Sequence, residues 1–238
     1  MTSIVVPTPK QEEIRDASEL GVLVVAPAGC GKTEALALRV QGLIQRRQVS
    51  APRRVLVLTF TNRARDNIRE RLRTHVHPED MNSLVTVSNF HGLAARLIRA
   101  HGNVVGLAPD IGIPDSDWVT RVCRDEYGLG YDAVDVVNNL LRTTKQQPRT
   151  DAEVLAELVA TGSQHAINLE TRRQSEGRLT YDDMLRLAEL ILANDEVAGL
   201  YRNHFAAVVV DEFQDLTPQQ LRVVQRIGAG RTTYAGDV

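Results

Sequence analysis

The sequence predicts an α/β protein: an open parallel sheet flanked by helices, interrupted by an all-helical insertion. Three observations carry that expectation. Residues 22–33, Val-Leu-Val-Val-Ala-Pro-Ala-Gly-Cys-Gly-Lys-Thr, place a short apolar run, a tight turn and the start of a helical pattern in immediate succession. The same sequence of apolar strand and following helix returns at 55–59, 84–87 and 206–210. Between about 106 and 200 that alternation stops and only helical periodicities remain, so the sheet is resumed after an insertion.

The first of these stretches is the most specific. Val22 to Val25 reads as a buried strand, and Leu36, Val40, Leu43 and Ile44 mark the inner face of the helix that follows. Ala28, Gly29, Cys30 and Gly31 form the turn, with Lys32 and Thr33 at the helix start. Such a loop binds phosphate: glycines let successive N–H groups point inward, and the helix N-terminus adds partial positive charge. Lys32 is expected at the β- and γ-phosphate oxygens and Thr33 at Mg²⁺, which implies ATP or a similar triphosphate. The first glycine of the usual pattern is Ala26 here.

Upstream, Thr8, Pro9 and Gln11 supply an N-cap, a first-turn proline and a third-position partner for a helix over 11–20. Gln11 caps that helix, and its amide also has the donor and acceptor to meet an adenine edge. Downstream, Val55–Thr59 reads as a buried strand and residues 62–74 as a helix. On that helix Arg65, Arg69 and Arg73 share a stripe that reads either as part of a phosphate track for a nucleic acid or as a solvated, salt-bridged face, the latter favoured for Arg69 and Arg73. A third strand, Leu84–Val87, leads to a helix ending near Gly102. In open α/β sheets, ligands meet the carboxyl ends of the strands. Phe60, Thr61, Asn62, Phe90 and His91 follow such ends and are binding candidates.

Helical patterns at 118–127, 131–143, 151–161, 164–176 and 181–194 make up the insertion, after a Pro/Gly-rich connection over 107–113; Trp118 is expected in its core. The strand Ala206–Val210 then ends in Asp211-Glu212-Phe213-Gln214-Asp215. Asp211 is placed to hold Mg²⁺ opposite Thr33, and Glu212 to orient and deprotonate the attacking water. A helix over 218–227 and a strand over 232–235 complete the chain.

Bulk properties agree with a globular protein. The 238 residues are 43% hydrophobic and 24% charged, with a net charge of −2, so any nucleic-acid contact must be local. No apolar run approaches the ~20 residues of a membrane span. The two cysteines lack metal-ligand spacing and suit a reducing cytoplasm.

Together these segments resemble the UvrD/Rep/PcrA-like branch of the superfamily 1 helicases. Gln11 matches that family's adenine-reading glutamine, and 26–33 matches its motif I. Thr59-Phe-Thr-Asn-Arg-Ala64 is similar to motif Ia, with Arg63 in place of the usual Lys. Asn89-Phe-His-Gly92 is similar to motif Ib, with Asn89 in place of Thr. Tyr181-Asp182-Asp183 resembles the segment before motif II, Asp211–Asp215 is a full motif II, and Gly236-Asp237 would begin motif III.

The resemblance implies a RecA-like ATPase domain over 1–105 and 201–238, with a 1B-type helical subdomain over 106–200. It implies an ATP-driven motor moving 3′ to 5′ on single-stranded DNA and opening duplex DNA. Phe60, Thr61, Asn62, Arg63, Asn89, Phe90 and His91 would face DNA, Gln214 would couple the DNA and ATP sites, and Asp237 would join the nucleotide site. It further implies a second RecA-like domain as partner, supplying arginines that complete the ATP site. The chain alone is therefore expected to turn over ATP slowly or not at all. Two other classes remain open: a catalytically silent nucleic-acid-binding or regulatory module, and a phosphoryl transferase with an acceptor site in the insertion.

Overall fold

The fold is taken from a computed structural model that describes residues 6–27, 29–108, 111, 115 and 117–237. Ala28, the first five residues and most of the 107–113 connection lie outside the described residues. The chain divides into two compact units, Met1–Phe90 with Ala198–Val238, and His91–Val197.

The first unit opens with α1 (Pro9–Asp16), where the expected cap is formed in both directions. The Thr8 hydroxyl accepts from the Gln11 N–H at 3.4 Å, and Gln11 Oε1 accepts from the Thr8 N–H at 2.9 Å. The helix ends at Asp16 rather than Leu20. There follow β1 (Val22–Val25), α2 (Lys32–Gln45), β2 (Arg54–Thr59), α3 (Asn62–His75), α4 (Pro78–Leu84) and β3 (Val85–Asn89). From β3 the chain enters α5 (Phe90–His101) directly.

All neighbouring strands of the sheet are parallel, in the order β1, then β5 (Thr232–Gly236), β4 (Phe205–Val210), β2 and β3. The central strand β4, Phe-Ala-Ala-Val-Val-Val, is buried at every residue, as a parallel strand covered on both faces must be. In the register, Leu56 lies beside Val208 and Val24 beside Ala235. One expectation is corrected here. The run Val22–Val25 is not buried throughout: β1 is an edge strand, and Leu23 and Val25 are 60% and 47% exposed. Apolar content alone does not tell a central from an edge strand, because strand order is set by tertiary pairing.

Helix α1 is held tightly on α2. A Cβ built on Gly42 would lie 1.9 Å from the Arg15 carbonyl oxygen, so only glycine admits this approach. The fully buried Arg39 donates to the carbonyls of Ala17 (2.5 Å) and Glu19, and Arg46 donates to Ala17 at 2.9 Å. Burial lowers the Arg39 guanidinium to a pKa of about 10, still charged at neutral pH. After β4, Thr217 and Gln220 cap α12 (Pro218–Gly228) reciprocally, and β5 follows.

The second unit contains α6 (Trp118–Arg121), which continues into a short π-helical turn, then α7 (Tyr131–Lys145), α8 (Asp151–Thr161), α9 (Gln164–Ser175) and α10 (Tyr181–Ala193). The next helix, α11 (Asp195–His204), leads back to the sheet. Trp118, 4% exposed, joins Val137, Leu141, Val154, Leu158 and Leu169 in this unit's core, as expected. Among the described residues no helix is long and apolar enough to cross a membrane.

Beside that core lies a buried ionic cluster. Lys145 meets Asp183 at 3.0 Å and Glu170 at 2.9 Å; Arg173 meets Glu170 at 2.6 Å; Arg186 meets Asp183 at 2.7 Å. Burial works against the Asp183 carboxylate, but Lys145, Arg173 and Arg186 outweigh it and hold its pKa below the usual range. Asp183→Ala would leave these cations without their shared anion, at a cost of about 3–5 kcal/mol. The expected readout is loss of hydrogen-exchange protection in α7, α9 and α10. Because the native pKa is depressed, the contribution of Asp183 is complete above about pH 4 and is lost as pH falls below that. Denaturant melts of the wild type and the variant should therefore converge in acid.

Candidate functional site

Parallel strands put every strand's carboxyl end on the same edge of the sheet. The residues after β1, β2, β4 and β5 therefore converge without further arrangement. At this edge is a cavity of about 440 Å³ whose lining includes Gln11, Gly31, Lys32, Thr33, Glu212 and Asp237. Its size falls in the range of small-ligand pockets.

The loop after β1 is built for close approach. Gly29 and Gly31 both have φ +78°, in the left-handed region that glycine adopts without strain. Gly31 is the N-cap of α2, and no side chain caps that helix start. Its first N–H groups are thus left for an outside acceptor, which suits an anion. Cys30 is exposed, and its N–H donates to the Pro27 carbonyl. Gln11 reaches this loop from α1: Nε2 donates to Gly31 O at 3.3 Å while Oε1 serves the Thr8 cap. The capping function and the loop contact are carried by one amide.

Lys32 is 7% exposed and lies among oxygens. Its ammonium donates to Asp237 Oδ1 and to Ala26 O at 3.4 Å, with Glu212 Oε2 at 3.7 Å. Asp211 is buried at the end of β4, its N–H donating to Leu58 O across the sheet. Burial and the neighbouring Glu212 raise its pKa to about 6. A carboxylate held in this way is a poor resident by itself and a favourable partner for a cation, so Asp211 and Thr33 fit a Mg²⁺ site by the chemistry of their oxygens. Glu212 has φ +53°, unusual for a residue with a side chain, and such strain concentrates at working sites. Gln214 Nε2 donates to Glu212 Oε2 at 2.9 Å, and Gln214 Oε1 accepts from the Asp237 N–H at 2.9 Å.

The residues expected at DNA separate into three settings. Phe60 is half-buried, Asn62 and Arg63 are exposed, and Asn89 Nδ2 donates to Asn62 Oδ1 at 2.9 Å, so the segment after β2 meets the end of β3. The Thr61 hydroxyl accepts from the Ala64 N–H and caps α3. The expectation for Phe90 is corrected: at 1% exposure, with its ring centroid 5.4 Å from that of Phe60, it supports Phe60 from beneath and offers no face of its own. His91 belongs to the helical unit, stacked on Tyr181 with centroids 3.7 Å apart. Burial lowers its pKa to about 4, so it is a neutral ring at physiological pH.

Sequence reading missed Glu34, Asn67 and Arg71, which also line the cavity. Glu34 pairs with Arg71 at 3.5 Å and with His75 at 2.5 Å. The available signal was the four-residue spacing of Asn67, Arg71 and His75, which puts them on one face of α3.

A parallel sheet with a glycine loop and lysine after the first strand, and paired acids after another, defines a phosphate-loop NTPase architecture. The family model for the UvrD/REP helicase N-terminal domain matches residues 8–238, and the chain belongs to that family. Its sheet is accordingly that of a RecA-like helicase domain. Similar proteins include the ATP-dependent DNA helicase PcrA of Leuconostoc citreum, 31% identical over 90% of this chain and 30% of the relative. PcrA of Staphylococcus aureus (strain Mu50 / ATCC 700699) is 27% identical over 92% of this chain and 31% of its own length. The ATP-dependent DNA helicase UvrD1 of Mycobacterium leprae is 29% identical over 98% of this chain and 31% of its own. The chain thus spans a little under a third of these relatives.

Two measurements follow from the titration behaviour. Asp211→Asn removes a buried charge next to Glu212 and is expected to raise the stability of the ligand-free protein, by on the order of 1 kcal/mol. The same change should abolish the Mg²⁺-dependent part of nucleotide affinity, so melting and binding move in opposite directions. The His91 imidazole should titrate near pH 4 by NMR, and Tyr181→Ala, which uncovers the ring, should return it toward 6.5.

Proposed function

We propose that this chain is the ATP-binding motor half of a DNA helicase, coupling ATP hydrolysis to 3′-to-5′ movement on single-stranded DNA and to duplex opening. The observation that carries this reading is the convergence of Lys32, Thr33, Glu212 and Gln11 on one cavity at an uncapped helix start, in a UvrD/REP helicase domain. Its relatives' name, ATP-dependent DNA helicase, supports the substrate and the energy source.

In this reading the α2 N–H groups and Lys32 hold the β- and γ-phosphates, and Gln11 meets the adenine edge from α1. Gly29, Cys30 and Gly31 give the loop its shape. Thr33 and Asp211 hold Mg²⁺, which when bound neutralises charge building on the phosphate oxygens. Glu212 orients the attacking water and takes its proton at the carboxylate. Gln214, bonded to Glu212, carries the state of the nucleotide site to the DNA-facing segment. There Phe60 stacks on a base while Asn62, Arg63, Asn89 and the Thr61 backbone track phosphates. His91 contributes as a neutral ring, and the helical unit acts as the family's 1B subdomain on duplex DNA. A second RecA-like domain supplies the arginines that complete turnover, which are worth several orders of magnitude in rate.

The test is MgATP hydrolysis by this chain with and without single-stranded DNA, beside Glu212→Gln and Lys32→Ala. The expected result is MgATP binding lost in Lys32→Ala, with turnover slow and raised at least tenfold by a second RecA-like domain added in trans. Nucleotide binding unaffected by Lys32→Ala would overturn the reading. Single-stranded DNA binding with no nucleotide binding would instead favour a silent nucleic-acid-binding module.

A further inference from the structure

The contacts around Lys32 close on themselves. Lys32 reaches Asp237 Oδ1; the Asp237 N–H reaches Gln214 Oε1; Gln214 Nε2 reaches Glu212 Oε2; and that oxygen lies 3.7 Å from Lys32 Nζ. Four residues from three separate segments form one ring across the cavity mouth. We propose that Asp237 is an internal stand-in for phosphate: its carboxylate holds the place on Lys32 that a polyphosphate takes, and binding is an exchange of one anion for the other. This rests on the reading of the cavity as a nucleotide site.

An ammonium has three protons to give. Ala26 O receives one, and this carbonyl is fixed because its own residue's N–H is tied to Gly236 O at 3.2 Å. Asp237 takes a second, and Glu212 Oε2 at 3.7 Å adds an ion pair beyond hydrogen-bond reach, so a phosphate oxygen gains the Asp237 share of Lys32 only when that carboxylate leaves. Asp237 is the one free to go. It lies just past the end of β5, and its carboxylate is held by Lys32, whereas Glu212 Oε2 is also held by Gln214 Nε2 at 2.9 Å. The exchange keeps a buried cation paired throughout, which avoids the cost of an uncompensated charge.

Two consequences are specific to this arrangement. A tethered carboxylate competes at an effective concentration of about millimolar or above. A single phosphate therefore displaces it poorly, whereas a chain of phosphates adds the α2 N–H contacts and wins. Moreover, the Asp237 N–H stays on Gln214 Oε1 while its carboxylate leaves Lys32, so the exchange opens the ring beside the residue proposed to couple the two sites.

The experiment uses the full chain with EDTA present, so that no metal contributes, and measures the affinity of sodium tripolyphosphate by calorimetry. Asp237→Asn is expected to bind at least tenfold more tightly than the wild type. Asp237→Glu, which keeps the charge, should stay within threefold. Asp215→Asn removes the same charge from the neighbouring exposed turn, and it too should stay within threefold. Lysine occurs only at positions 10, 32 and 145, so a lysine-selective ¹⁵N spectrum isolates the Lys32 ammonium. Asp237→Asn should move that signal in the same direction as tripolyphosphate moves it in the wild type. Unchanged or weaker binding by Asp237→Asn overturns the proposal, as does equal tightening by Asp215→Asn, which would make the effect one of net charge. If Asp237→Asn fails to fold, Asp237→Ser is read by the same criteria. Lys32→Ala separates the two levels: tripolyphosphate binding that survives it sinks the nucleotide-site reading itself, whereas binding that needs Lys32 but ignores Asp237 sinks only the stand-in.

Discussion

The constraint on which the sheet-bearing unit depends is that its strands all run the same way. A parallel strand cannot turn back through a short hairpin; its chain must cross over, and helices such as α2, α3 and α12 make those crossings. The interior is consequently apolar on both faces of β2 and β4, and the polar residues are driven to the strand ends. Because all carboxyl ends coincide, residues as distant in sequence as Lys32 and Asp237 become neighbours. The site is a by-product of strand direction before it is anything else.

That geometry also explains why acids and a lysine can coexist there. Asp211 sits at the end of a buried strand where water is scarce and another carboxylate is adjacent, which lifts its pKa toward neutrality. Lys32 is nearly as buried, yet it is ringed by oxygens. The site is therefore a balance of charges that each element alone could not carry. The helical unit reaches a similar balance for a different end: its buried cluster of Lys145, Arg173, Arg186, Glu170 and Asp183 pairs opposite charges, with Arg186 Nε left without a hydrogen-bond partner, and ties α7, α9 and α10 together.

Much of this was legible in the sequence because the signals are local. Thr8 and Gln11 announce a cap within four residues, and the glycine loop announces itself within six. The helix over 151–161 has a cap and a terminal glycine at its ends, and it is found at those bounds. What was not legible has a common cause. Helices α4 and α11 run straight into β3 and β4 with no intervening loop, so no turn residue marks them. The edge position of β1 depends on which strand chooses it as partner. The pairing of Glu34 with Arg71 joins two helices that are adjacent only once the sheet is formed. Phe90 read as a ligand contact because it follows a strand end, but a half-buried aromatic at Phe60 needs something beneath it, and Phe90 fills that place.

The tight seating of α1 on α2 carries one more meaning. Gly42 permits the contact, Arg39 bonds across it, and Gln11 is thereby held against the glycine loop on one packed pair of helices. A nucleotide gripped at both its base and its phosphates would lie between two points whose separation the protein does not adjust. Under the proposed reading, such a seat would gauge length, favouring molecules whose ends reach both marks over those that reach only one.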